Sequence, residues 1–218
     1  MTEKPIPFNG SMVRAILDGK KTQTRRVVQF RKHGNGEHAL RDKHPLGAVF
    51  GCDCSVCRGN NTHSCLIKCP YGVPGDGLVL LSKWATEARY DHLPPSKLPQ
   101  SARIWTLWEG DTKPEWCGRT RSSRFVPKRF YDRFPKAPIT NIRVKRVQDA
   151  NIADIIAEGV DDEHRWGVKA SVEQLNGRWR ALWNSINSKR GYSFESNPYV
   201  WIIEFRQLER NTDASNSR

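Results

Sequence analysis

Long apolar runs are missing from this chain, and so is any balance between acid and base. No hydrophobic stretch approaches the ~18 residues of a membrane-spanning helix. The opening residues Met1, Thr2, Glu3, Lys4 and Pro5 carry no apolar signal-peptide core. A membrane protein and a secreted one are thereby set aside, and a cytoplasmic site is expected. In that reducing compartment the 6 cysteines are not read as disulfides. Acids are few: 23 Asp and Glu stand against 36 Lys and Arg, a formal net charge of +13. Such an excess suggests a polyanion partner, nucleic acid first, although a generic basic surface has the same composition.

The 218 residues, 37% hydrophobic and with 8 Trp, suffice for one core. One domain over residues 1–210 is expected, followed by a disordered polar tail at 211–218. Apolar periodicity predicts a helix over 10–18, with Met12, Ala15 and Ile16 on one face and Gly19 as its stop. Residues 78–81 read as a buried strand after the turn Pro74, Gly75, Asp76, Gly77. Ile142 and Val144 alternate with Arg143 and Lys145, as in a strand with one polar face. Ile152, Ile155 and Ile156 have helical spacing before Gly159. Ser171 and Gln174 form a capping box for a helix striped with Leu175, Trp179, Leu182, Trp183 and Ile186. Residues 200–205 close the pattern as a strand. Two stretches, about 29–68 and 90–123, lack periodicity and read as irregular insertions, the second with one strand over 103–108. The class is α+β, with two or three flanking helices and a small barrel favoured over a parallel sheet.

The densest chemistry follows the first helix. Lys20, Lys21, Thr22, Gln23, Thr24, Arg25 and Arg26 concentrate cations and donors on a short piece of backbone. Such a segment suits a phosphate or the polar edge of a base, and spacing alone also allows a solvated basic turn. Residues 119–146 hold ten cations, among them Arg124, Lys128 and Arg129, against the single acid Asp132. Phe125, Phe130, Tyr131 and Phe134 are interleaved with them, a combination suited to single-stranded nucleic acid. The same rings equally suit anchoring of the segment to the core. Trp179, Trp183 and Trp201 are expected in the core, and Trp105, Trp108 and Trp116 in a cleft or as stacking residues.

Cys52, Cys54, Cys57, Cys65 and Cys69 fall within 18 residues. Cys54 and Cys57, then Cys65 and Cys69, supply two thiolate pairs, as tetrahedral Zn²⁺ requires. Cys52 can replace Cys54, and His63 a sulfur; buried thiols or a redox pair are the alternatives. A full thiolate set makes the zinc structural, since no position is left for water.

Four pieces occur in a specific order: Gly-Lys-Lys-Thr-x-Thr-Arg-Arg after a helix, Pro-Tyr-Gly-x-Pro-Gly-Asp before a strand, Ala157-Glu158-Gly159 after a short helix, and Trp-Ile-Ile-Glu-Phe at 201–205. That order resembles the ASCH domain family, particularly its phage and prophage members, over residues 6–28, 69–86 and 124–206. The resemblance implies a PUA-like β-barrel that binds RNA or a modified nucleoside in a cleft beside the first helix. Some small bacterial members are amidohydrolases that deacetylate N4-acetylcytidine. Carried over by motif, a lysine, a threonine and a glutamate of their site are Lys21, Thr24 and Glu158 here. A single-stranded RNA nuclease using the same cleft, and a non-catalytic phage or prophage protein that binds a host macromolecule, are the alternatives. Where relatives often carry Arg after the Gly-Asp turn and Arg-Glu at the end of the next strand, this chain has Gly77 and Ser82-Lys83. Lys83 would make the pocket more basic and favour a phosphate-bearing ligand.

Overall fold

The computed structural model describes residues 2–30, 38–44, 47–52, 64–110, 112–160 and 169–206, with the backbone alone for 38–44, 47, 49–52 and 64–66. Strand β1 (Glu3–Pro7), helix α1 (Gly10–Leu17) and strand β2 (Gln23–Val27) come first. Strands β3 (His38–His44), β4 (Gly47–Cys52) and β5 (Ser64–Lys68) precede β6 (Gly77–Leu81). Two short strands, β7 (Trp84–Ala85) and β8 (Trp105–Thr106), are followed by the long β9 (Lys136–Arg146). Helices α2 (Ile152–Ala157) and α3 (Val172–Asn187) then lead to β10 (Tyr199–Phe205).

The main sheet has the order β1-β6-β9-β10-β2. Only β1 and β6 run parallel; the other three pairings are antiparallel. The fold is therefore α+β with a mostly antiparallel sheet. The sheet is open: β1 and β2 form its two edges and are not paired with each other among the described residues.

Both faces of this sheet are covered, which explains why its strands read as apolar runs rather than as strict alternation. Along β10, Trp201, Ile203 and Phe205 join Val13 and Ile16 of α1 on one face. Val200 and Ile202 meet Ile155 of α2 and Leu175, Trp179 and Trp183 of α3 on the other. All five residues of β6 are buried. Helix starts follow local chemistry: Asn9 accepts from the Met12 amide at 2.7 Å, and capping boxes at Asn151 and Ser171 open α2 and α3.

Neither insertion is irregular throughout. Strands β3, β4 and β5 form a separate three-stranded antiparallel sheet inside the first. Its Gly-, His- and charge-rich sequence hides the period-2 signal. In the second, the strand expected over 103–108 shrinks to β8, which pairs with β7. The Glu87 carboxylate takes the Arg103 amide at 2.9 Å, and the chain turns after Thr106. Leu98, Phe130, Phe134 and Trp84 give this region its own apolar cluster.

No helix among the described residues is long and apolar enough to cross a membrane. Ile203 is 0% exposed and Ile186, where the α3 stripe leaves the core, 43%. Ile203→Ala is expected to lower the unfolding free energy by about 2–5 kcal/mol, and Ile186→Ala by no more than about 0.5 kcal/mol. Urea midpoints at constant m-value read both, and equal losses would contradict this placement of α3.

Candidate functional site

The end of α1 and the start of β2 carry the basic turn into the fold by backbone bonding. The Lys20 and Lys21 amides both donate to the Ala15 carbonyl, at 2.9 and 3.0 Å. Thr22 is tied on both sides, its amide to Ala157 O and its carbonyl to the Phe205 amide. The turn is thus clamped between α2 and β10, and Lys21 is buried rather than solvated.

Lys21 ends against the last turn of α2. Its Nζ donates to Glu158 Oε2 at 2.8 Å and to the Glu158 carbonyl at 2.7 Å. Arg25 Nη1 reaches Glu158 Oε1 at 3.1 Å, and Arg25 Nη2 reaches Asp154 Oδ2 at 3.1 Å. Arg143 Nη2 continues the series to Asp154 Oδ1 at 2.9 Å and to Glu204 Oε1 at 2.9 Å. Asp154 and Glu158 are one helical turn apart and so share a face of α2. The Arg25 guanidinium also lies 5.6 Å from the Trp179 ring. Gly159 permits this approach: its φ is +80°, and a Cβ there would stand 3.1 Å from Lys21 Cβ.

Burial lowers the Lys21 pKa from the ordinary lysine value; Glu158 pulls the other way, while Arg26 and Arg25 add to the depression. Burial opposes ionisation of Asp154, yet Arg25, the Asn151 amide and Arg143 hold its carboxyl below the usual range.

Lys21, Arg25 and Glu158 border a cleft of about 240 Å³. That is smaller than the roughly 300–1,000 Å³ of sites for drug-sized ligands, so it suits one small unit. Lys21, Thr24 and Glu158 line it together. Thr24 is 4% exposed, and its hydroxyl has no hydrogen-bond partner among the described residues. Tyr71, Trp179, Leu182, Trp183 and Ile186 supply an apolar wall. Because β2 is an edge strand, residues from both of its faces, Arg25 and Arg26 alike, reach the cleft.

The other proposed phosphate-binding residues are dispersed. Arg124 lines the cleft, whereas Lys20, Lys83 and Lys128 are exposed outside it. The Arg129 guanidinium donates to the carbonyls of Pro95, Ser96 and Leu98 and lies 4.8 Å from the Phe130 ring, so it braces the second insertion. Phe130 and Phe134 are core residues, and only Phe125, 64% exposed, presents a ring of that segment freely. None of Trp105, Trp108 and Trp116 lines the cleft: Trp105 is buried in a small cluster, Trp108 packs on the main core, and Trp116 stacks with Arg103. Reading by sequence did not single out Asp154 or Arg190, which also lines the cleft. The spacing of Asp154 and Glu158 against that of Lys21 and Arg25, four residues in each case, was the available signal for Asp154.

Of the cysteines, Cys54 and Cys57 lie outside the described residues, as do His63 and the side chains of Cys52 and Cys65. Cys69 is buried and unbridged; burial raises its thiol pKa to about 11, against the pull of the Tyr71 and Gly72 amides. Among the described residues no group of three His, Cys, Asp or Glu is placed to hold a metal.

Comparison with family models, with curated proteins and with solved structures finds no match to this chain.

The depressed Lys21 pKa has a thermodynamic consequence. Between its folded value and the ordinary ~10.4, the unfolded chain binds the extra proton, so stability rises with pH across that window. Lys21→Met leaves Glu158 paired with Arg25 and removes this contribution. Urea denaturation at stepped alkaline pH should give wild type the steeper upward slope; parallel slopes would rule out a depressed lysine.

Proposed function

We propose that this chain is an ASCH-like protein that binds a modified nucleoside, free or within nucleic acid, and deacylates it as an amidohydrolase of the N4-acetylcytidine type. The observation that carries this reading is the meeting of Lys21 and Thr24, from the turn into β2, with Glu158, from the end of α2, on one small cleft with an aromatic wall. The +13 charge supports a polyanionic or phosphate-bearing ligand. The PUA-like barrel belongs to the same proposal: the five-stranded sheet would be its larger part.

In the reaction, water attacks the acetyl carbonyl carbon and the amide C–N bond breaks, giving acetate and a free exocyclic amine. Lys21, whose burial lowers its pKa, takes the proton from the attacking water. The Thr24 hydroxyl donates to the oxyanion as it forms. The proton Lys21 has taken crosses its 2.8 Å contact to Glu158 and passes on to the departing nitrogen, so the pair ends as it began. Arg25 and Asp154 do not touch the ligand in this scheme; they hold Glu158 in place.

The pairing of Lys21 with Glu158 favours a second reading, in which the cleft holds the nucleoside without cutting it. Incubation with N4-acetylcytidine separates the two: release of cytidine and acetate is expected from wild type. Lys21→Ala and Glu158→Gln should each lower turnover by about 10²-fold or more, and Thr24→Val by a similar factor. Binding without product would leave only the second reading, and full turnover by Lys21→Ala would end the mechanism.

A structural zinc held by Cys54, Cys57, Cys65 and Cys69 is part of the proposal. Burial raises the Cys69 thiol pKa to about 11, only partly offset by the Tyr71 and Gly72 amides, so zinc would have to displace that proton. One zinc per chain is expected by elemental analysis of protein purified without chelators. Cys57→Ser and Cys65→Ser should each lower that content; metal-free wild type would exclude the site.

A further inference from the structure

The charges along the cleft fall into two groups. Lys21 and Arg25, at its floor, are each paired with a carboxylate. Arg26, Arg124 and Arg190 also line the cleft, and none forms an ion pair with a carboxylate among the described residues. They come from three places: Arg26 from β2, Arg124 from the 3₁₀ turn Ser123–Phe125, and Arg190 from the 3₁₀ turn Ser188–Arg190 that follows α3. Sequence separation gives no reason for these three to gather; the fold gathers them.

Their surroundings leave donors unused, although the Arg26 guanidinium also lies 4.9 Å from the Phe8 ring. Arg26 gives one Nη2 bond to the Pro7 carbonyl at 2.7 Å, and its Nε is buried without a hydrogen-bond partner. The side chains of Arg124 and Arg190 make no hydrogen bond to a described residue. Burial lowers the Arg26 pKa; Tyr71 and Glu158 counter this, and the like charge of Arg190 adds to it. Arg26 and Arg190 therefore repel one another across the cleft while the backbone holds them there. An anion between them removes that repulsion and gives the unused donors acceptors.

We propose that Arg26, Arg124 and Arg190 form a phosphate subsite, so that the cleft takes a nucleoside only together with a phosphate attached to it. This rests on the nucleoside-binding reading above. Guanidinium forks match phosphate oxygens with parallel N–H···O bonds, and three forks exceed what a single carboxylate can accept. Beside them, Tyr71 offers a ring for a base, backed by the buried Trp179 and Trp183 of the cleft wall. The Trp179 indole N–H, in a side chain 4% exposed, has no acceptor among the described residues. The phosphate can belong to a free nucleotide or to one unit of a strand; Phe125, exposed next to Arg124, offers a surface for a neighbouring base in the second case.

The test is titration of the whole chain, at low salt, with N4-acetylcytidine and the four ribonucleosides, their 5′-monophosphates and a tetranucleotide bearing a 5′-hydroxyl, followed by tryptophan fluorescence. The best monophosphate or the tetranucleotide is expected to bind roughly tenfold or more tightly than its nucleoside. Arg124→Gln and Arg190→Gln should each shrink that ratio several-fold, and the double variant should bring it close to one. Lys97→Gln, which removes an exposed cation away from the cleft, should keep it. Preference for the monophosphate identifies a free nucleotide, and preference for the tetranucleotide a strand; both support the subsite. Nucleosides that bind as tightly as their phosphorylated forms would overturn the subsite and leave the nucleoside reading standing. A ratio that survives the double variant would also overturn it. If neither nucleosides nor phosphorylated forms bind, both readings fall.

Discussion

Five charged side chains alternate in sign from the floor of the cleft into the sheet: Lys21, Glu158, Arg25, Asp154 and Arg143. Four of them are nearly or fully buried. None is tolerable there alone, because an uncompensated charge in a low-dielectric interior is penalised by several kcal/mol, on the order of 3–5 when one partner of a buried pair is lost. The ladder therefore constrains geometry more than it adds stability. Lys21 precedes β2, Arg25 lies on it, Asp154 lies on α2, Glu158 caps its C-terminal end, and Arg143 lies on β9. Each of these elements must keep its place for the others to remain neutralised. The approach of Lys21 to α2 depends in turn on the bare Cα of Gly159.

The same alternation explains how a strongly basic protein keeps a carboxylate at the floor of its cleft. Arg25 and Lys21 hold both oxygens of Glu158, so their charges are largely cancelled locally. Much of the remaining positive charge is also used within the fold. Arg121 donates to the carbonyls of Leu93 and Tyr90, and Arg129 ties down the turn beside them. Lys136 bridges Glu3 and Asp132. Total charge thus overstates the surface available to an anion, and Arg26, Arg124 and Arg190 stand out for lacking a carboxylate partner among the described residues rather than for being numerous.

Much of the architecture was legible because two periods dominate it. Helical spacing with clear caps marked α1, α2 and α3, and apolar runs marked β6 and β10. The strands β3, β4 and β5 escaped notice because glycine, histidine and charge replace alternation there. The trio Lys21, Thr24 and Glu158 was assembled from motif order, and the structure brings these residues to one cleft. Arg190 was invisible in one dimension: it follows the apolar stripe of α3 in a short 3₁₀ turn, and only the docking of α3 on β10 carries it to β2. Trp105, Trp108 and Trp116 misled in the opposite sense. An irregular context suggested open rings, yet Trp105 is buried in a small cluster, Trp108 packs on the main core and Trp116 stacks with Arg103.

The pairing of β2 with β10 joins chain segments far apart in synthesis. Val27 faces Val200, and Thr24 faces Ile203. At ~5–20 residues per second, β10 is made on the order of ten seconds or more after β2. A nascent chain that already carries Lys21, Glu158 and both insertions still has no strand on which β2 can dock. The buried charges must remain hydrated through that interval, and the cleft comes into being only as the sheet is completed.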